Sequence, residues 1–229
     1  LQIFSPNKNR RLKLYNARFF EKPINNVNDN FQTNLSAAID VIKQNRSVLA
    51  KKILDVINSK KIIIHSFFNV TKEHYFKMRK DIKNEYGEIL SENFPPDIST
   101  IRKIESKLEG IIYDDKVIYI RSSNNPPKMA NTLVHEICHF LNASIYNKEK
   151  KINPTNLVDY YDEVRAHTGE KIFERNGSCL RRSDIKQIHK QVTDLYPEFL
   201  VSYEDALELG YIYSSYDGPG DKILQQLSL

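Results

Sequence analysis

Apolar residues recur at helical intervals from Leu35 through Ile39, Ile42, Leu49 and Ile53 to Ile57, which predicts one or two helices between Asn28 and Ile57. Lys61–Val70 is rich in β-branched and aromatic residues and predicts a strand. Glu73–Tyr86 has a helical pattern ending at Gly87, a residue suited to a C-terminal cap. After Pro95-Pro96, the span Asp97–Leu108 predicts an amphipathic helix closed by Gly110. Ile111–Tyr113 and Val117–Ile120 flank the polar Asp114-Asp115-Lys116 and predict a hairpin. A loop at Asn124–Pro127 then leads into two strong helices, Lys128–Ile145 and Leu157–Arg175, the second stopped by Asn176-Gly177. From Ser183 the chain reads as mostly helical, with a turn at Gly218-Pro219-Gly220, whereas residues 1–27 read as irregular.

Helices around a few strands make this an α+β chain, expected to form one domain over residues 1–229. Residues 1–108 would be a mainly helical N-terminal part and 109–229 the chemical core. No apolar run approaches the roughly twenty residues that cross a bilayer, so no membrane span is expected. Leu1–Pro6 lacks the charged and apolar regions of a signal peptide. The net charge of +5 is spread along the chain, and no nucleic-acid-binding signature accompanies it, so nucleic acid is not an expected partner. Two cysteines, Cys138 and Cys179, make no disulfide framework, and a reducing compartment is expected.

The chemistry lies in His135-Glu136-Ile137-Cys138-His139. Histidines at i and i+4 share one helix face, so both imidazoles reach a single metal ion. Glu136 is rotated by about 100° from His135, where its carboxylate faces water activated by the metal instead of the metal itself. Leu133, Val134, Ile137, Phe140 and Leu141 supply a buried back to this helix, while Asn131, His135, His139 and Asn142 line its front.

A catalytic zinc needs a third protein ligand. No further His follows His139 at the spacing that would supply it from the same segment. Glu163 on the next helix is the leading candidate, with His167, Asp159 and Asp162 as alternatives. Glu163, His167 and Glu170 share a face, and Ala166 and Gly169 allow close helix approach. His167 and Glu170 are candidates for orienting the ligand histidines. Tyr211, Tyr213 and Tyr216 are candidate hydrogen-bond donors to an oxyanion. Cys138, His65, His74 and His189 read as packed or exposed residues without a chemical role.

With Glu163 on the helix after the motif, His135-Glu136-x-x-His139 resembles the gluzincin branch of the zincin metallopeptidases. The resemblance spans Val117 to Glu170 and departs from that branch in carrying Asp162, not Asn, before the candidate ligand. It implies a zincin-like fold, one Zn²⁺ held by His135, His139 and Glu163, and Glu136 as general base. It implies an endopeptidase acting on a protein substrate. The size and composition of the chain also resemble the compact metallopeptidases that bacterial pathogens inject into host cells, which implies a secreted virulence effector working in the host cytosol.

The expected function is therefore zinc-dependent hydrolysis of a specific protein by a monomer. Its substrate is expected to lie along an edge formed by Val117, Ile118, Tyr119 and Ile120. The alternatives are a non-proteolytic binding or regulatory module with a zincin-like core, and a metal hydrolase of non-peptide amides.

Overall fold

The structure is a computed structural model that describes residues 30–113, 116–152, 156–178, 180–199 and 201–208. It is mostly helical with one small sheet, an α+β arrangement. In chain order the elements are α1 (Phe31–Gln44), α2 (Val48–Asn58), β1 (Ile63–Ser66), α3 (Lys72–Tyr86) and α4 (Ile98–Lys107), then β2 (Gly110–Ile112) and β3 (Val117–Ile120). The helices α5 (Pro126–Ile152), α6 (Asn156–Glu174), α7 (Arg182–Leu195) and α8 (Tyr203–Glu208) follow.

Local chemistry sets several boundaries. Ser47, Thr71 and Asp97 each accept a backbone N–H from the first turn of the helix they precede, satisfying donors that a helix start leaves orphaned. Gly87 ends α3 in the left-handed conformation with φ of 65°, which a side chain would disfavour. The first strand is shorter than its apolar pattern predicts, because Ser66 Oγ accepts the Phe68 N–H and turns Phe67–Asn69 into a 3-10 helix. Pro126 and Pro127 belong to the first turn of α5 and not to a loop; proline lacks only an N–H that has no partner there.

The three strands run in the order β1-β3-β2, with β1 parallel and β2 antiparallel to β3. Ile63 pairs with Val117 and Ser66 with Ile120, while Gly110 pairs with Ile120 and Ile112 with Ile118. Alternate residues feed two cores. Ile112, Ile118 and Ile120 face a large core built from α1, α2, α5, α6 and α7. Ile111, Val117 and Tyr119 face a smaller one with Tyr75, Met78 and Ile82 of α3 and Ile101 and Ile104 of α4. Burial on both faces explains why β3 is an unbroken apolar run instead of an alternating one.

The helices α5 and α6 pack closely on one another. Gly169 is the close-approach point, since a Cβ there would collide with Cys138 Sγ. The α1–α2 connection closes the end of α6, with Asn45 Nδ2 donating to the Phe173 carbonyl at 2.7 Å. No helix among the described residues is long and apolar enough to cross a membrane.

Candidate metal centre

The front of α5 meets α6 at a cluster of buried polar side chains: His135, Glu136, His139, Asp162, Glu163, His167 and Glu170. His135 Nε2 and His139 Nε2 lie 3.0 Å apart. Glu163 sends one carboxylate oxygen to 3.6 Å from His135 Nε2 and the other to 3.5 Å from His139 Nε2. Among the described residues, these three form a group whose donor atoms suit one metal ion.

Zinc bonds of about 2.0–2.1 Å to nitrogen, arranged tetrahedrally, place neighbouring donors about 3.3 Å apart. Separations of 3.0, 3.5 and 3.6 Å bracket that edge. Protonation points the same way. His139 Nδ1 lies 2.8 Å from Asp162 Oδ2, and His135 Nδ1 lies 3.1 Å from Glu170 Oε2. An ionised carboxylate only accepts, so these contacts favour the tautomer that carries the proton on Nδ1. In that tautomer two Nε2 lone pairs converge with the Glu163 carboxylate in a buried space. Such a set of Lewis bases is mutually repulsive without a cation, and zinc suits imidazole and carboxylate donors.

His135, His167 and Glu170 form a second group of potential donors. Here His167 Nδ1 lies 2.7 Å from Glu170 Oε2, hydrogen-bond length and too short for neighbouring donors on one zinc. Glu170 Oε2 thus joins His135 to His167, and Gln191 Nε2 of α7 lies 3.3 Å beyond, from His167 Nδ1. Among the alternatives to Glu163, Asp162 holds the far side of the His139 ring, and His167 contacts Glu170 and packs edge-on against the His135 ring at 4.6 Å. Asp159 instead accepts from Tyr146 Oη at 2.7 Å and pairs with Lys150.

Glu136, in the same cluster, also borders the sheet. A Cβ at Gly110 would lie 2.7 Å from Glu136 Oε1 and 2.9 Å from Thr132 Cγ2, so β2 crosses α5 with no space for a side chain. Gly110 was expected to close a helix; it is instead the first residue of β2. The signal that could have found it is a lone glycine abutting a β-rich run, a frequent mark of close approach.

The expected substrate edge requires correction. Val117–Ile120 is the central strand, bonded to β1 on one side and β2 on the other. The outer strand beside Glu136 is β2. Tyr113 N donates to Val117 O and Arg121 N to Glu109 O, so alternation turns the backbone groups of Gly110 and Ile112 outward. Tyr211, Tyr213 and Tyr216 lie outside the described residues.

Charged groups of both signs gather where α4 enters β2. Glu109 Oε1 lies 3.1 Å from Lys128 Nζ and 3.3 Å from Arg121 Nη1. Burial pushes the neighbouring Glu105 carboxyl up to about 7; the negative charge of Glu109 adds to this, and Arg121 and Arg102 oppose it. The remaining histidines serve packing. His74 Nδ1 lies 2.9 Å from Tyr119 Oη, and His189 Nδ1 lies 2.7 Å from Tyr160 Oη, with burial holding His189 below its usual range.

In comparisons with known proteins, no family model, curated protein or solved structure matches this chain.

Proposed function

We propose that the chain is a zinc-dependent endopeptidase with a zincin-like arrangement, in which His135, His139 and Glu163 hold the metal. The observation that carries this reading is the convergence of both Nε2 atoms on the Glu163 carboxylate while both Nδ1 atoms face other carboxylates. Zinc held there supplies Lewis-acid chemistry, polarising a peptide carbonyl and acidifying water. Glu136 takes the proton from the attacking water and delivers it to the leaving amine. Asp162 and Glu170 fix the two imidazoles by accepting from Nδ1. Substrate lies antiparallel or parallel along β2, whose Gly110 and Ile112 present backbone donors and acceptors independent of substrate sequence. Cytosolic action on one protein substrate, as by a secreted effector, remains part of the proposal and rests on the cysteine content.

Burial favours one second reading. Glu136 is only 1% exposed and the three metal donors are all buried, as suits a structural or sensing metal in a non-proteolytic module. One experiment separates the readings. Wild type and Glu136→Ala, both carrying equal zinc by metal analysis, are incubated with a cell lysate, and new peptide termini are mapped by mass spectrometry. Termini produced by wild type alone, and lost with a chelator, support the endopeptidase. Equal profiles from both proteins overturn it. Efficient cutting of casein at many unrelated sites would remove the single-substrate proposal.

A further inference from the structure

Across the sheet from the metal centre, α3 and the chain that follows it form a surface groove of about 200 Å³. It is lined by the apolar Phe76, Ile89 and Leu90 and the basic Arg79, Lys80 and Lys83. Ile89 is 68% exposed and Phe76 37%, whereas most other large apolar residues among those described are buried. Large apolar side chains grouped at one exposed spot mark interaction sites more often than scattered single ones do.

Charge defines what fits there. Arg79 is committed to the groove wall: its Nε donates to the Leu90 carbonyl at 3.1 Å and its Nη2 lies 2.8 Å from Glu92. The neighbouring carboxylates are also taken, Glu73 by Lys77 and Glu88 by Lys107. Lys80 and Lys83 are exposed and have no ion-pair partner among the described residues. Two ammonium groups without an ion-pair partner among the described residues thus flank an apolar hollow.

We infer that this groove docks an acidic peptide segment of a partner protein, seating one apolar side chain among Phe76, Ile89 and Leu90 with carboxylates on Lys80 and Lys83. A lipid surface is disfavoured, because polybasic membrane sites gather four or more cations while only two here are unengaged, and a concave hollow suits a side chain better than a bilayer. The inference deepens the endopeptidase reading by giving a recognition element to its substrate, and it rests on that reading only for the peptide's being cut.

The test measures binding apart from cleavage, using the full chain with Glu136→Ala. Fluorescent twelve-residue peptides carry a central Leu flanked by Glu and Asp, the same design with Lys replacing the acids, or Ala replacing the Leu. Anisotropy should show the acidic Leu peptide binding about tenfold more tightly than either control, with affinity falling as salt rises. Lys80→Glu/Lys83→Glu and, separately, Ile89→Asp should each weaken it about tenfold while circular dichroism and thermal midpoint stay those of the parent. His135→Ala/His139→Ala should bind normally, which keeps a failure of the metal reading distinct from a failure here. Equal binding of acidic and basic peptides, or unchanged binding by the Lys80/Lys83 variant, overturns the inference. So does tighter capture by phosphatidylserine vesicles than by peptide, or loss of a dimer on Ile89→Asp.

Discussion

Gly110 and Glu136 meet without room for a methyl group between them: a Cβ on the strand residue would stand 2.7 Å from the carboxylate oxygen. The outer strand is therefore held close against the candidate general base. A side chain here would push β2 off α5 or turn the carboxylate away. Either movement separates the two parts of the site.

Gly110→Ala should accordingly damage catalysis more than folding. Overpacking of this kind destabilises by about 1–3 kcal/mol. Misplacing a reacting group by about an ångström can slow a reaction by about a hundredfold. The expected outcome is a cooperative unfolding curve at a lower urea midpoint, zinc content equal to wild type, and proteolysis reduced at least tenfold. Activity equal to wild type would show that β2 does not border the reaction.

Metal removal should lower stability, because an ion that binds only the folded state adds stability according to its concentration relative to its dissociation constant. A chelator should depress the thermal midpoint of wild type and leave His135→Ala/His139→Ala unchanged. Metal analysis should find about one zinc per wild-type chain and none in the double variant. Full zinc retention by the variant would overturn the ligand set.

Asp162 Oδ2 lies 2.8 Å from His139 Nδ1, which makes it a residue that orients a candidate ligand. Asp162→Ala should weaken zinc affinity roughly 10–100-fold, and Asp162→Asn less, since an amide oxygen still accepts that proton. Glu163→Ala should weaken it further than either. Competition with a zinc-binding dye gives the order, and a larger loss at Asp162 than at Glu163 would exchange their roles.

Glu105 supplies a pH dependence of known sign. Its folded-state pKa is raised from 4.5 to about 7, so the folded protein keeps a proton that the unfolded chain has already released. The resulting stabilisation is complete below pH 4.5 and is lost as the pH rises through about 7. The full shift corresponds to at most roughly 3 kcal/mol. Glu105→Gln should remove this contribution, so urea midpoints from pH 5 to 8 should fall less steeply than those of wild type. Parallel slopes for the two proteins would refute the assignment.

Elements with a strong period were legible in the sequence, and those set by tertiary contacts were not. The repeat from Leu35 to Ile57 resolves into two helices because Ser47 caps the second. The pair His135 and His139 declares its shared face through spacing alone, whereas the identity of their far-side partners depends on how α6 rotates against α5. Asp162 and Glu170 were thus readable as candidates but not as occupants of particular Nδ1 positions. The edge assignment failed for a reason built into the sheet. Val117–Ile120 has the composition of any buried strand, and only its parallel partner Ile63–Ser66, far off in the chain, makes it central. Gly110 looks like a helix stop until the packing of Thr132 and Glu136 against it is known.

The parallel pairing of Ile63 with Val117 also governs the order of assembly. All three candidate metal donors sit within one helical hairpin of neighbouring sequence, a unit whose formation closes only a short loop. The sheet, by contrast, must bring together segments separated by two intervening helices before its central strand is flanked on both sides. Long-range strand pairing of this kind is the slow event in folding. The hairpin that gathers His135, His139 and Glu163 is therefore the early-forming half, and metal present during refolding should speed recovery of helical signal more than recovery of native packing around Tyr119. A comparison of far-ultraviolet dichroism with pulsed hydrogen exchange at the amides of β3 would show the separation, and coincident recovery would mean that both halves fold as one.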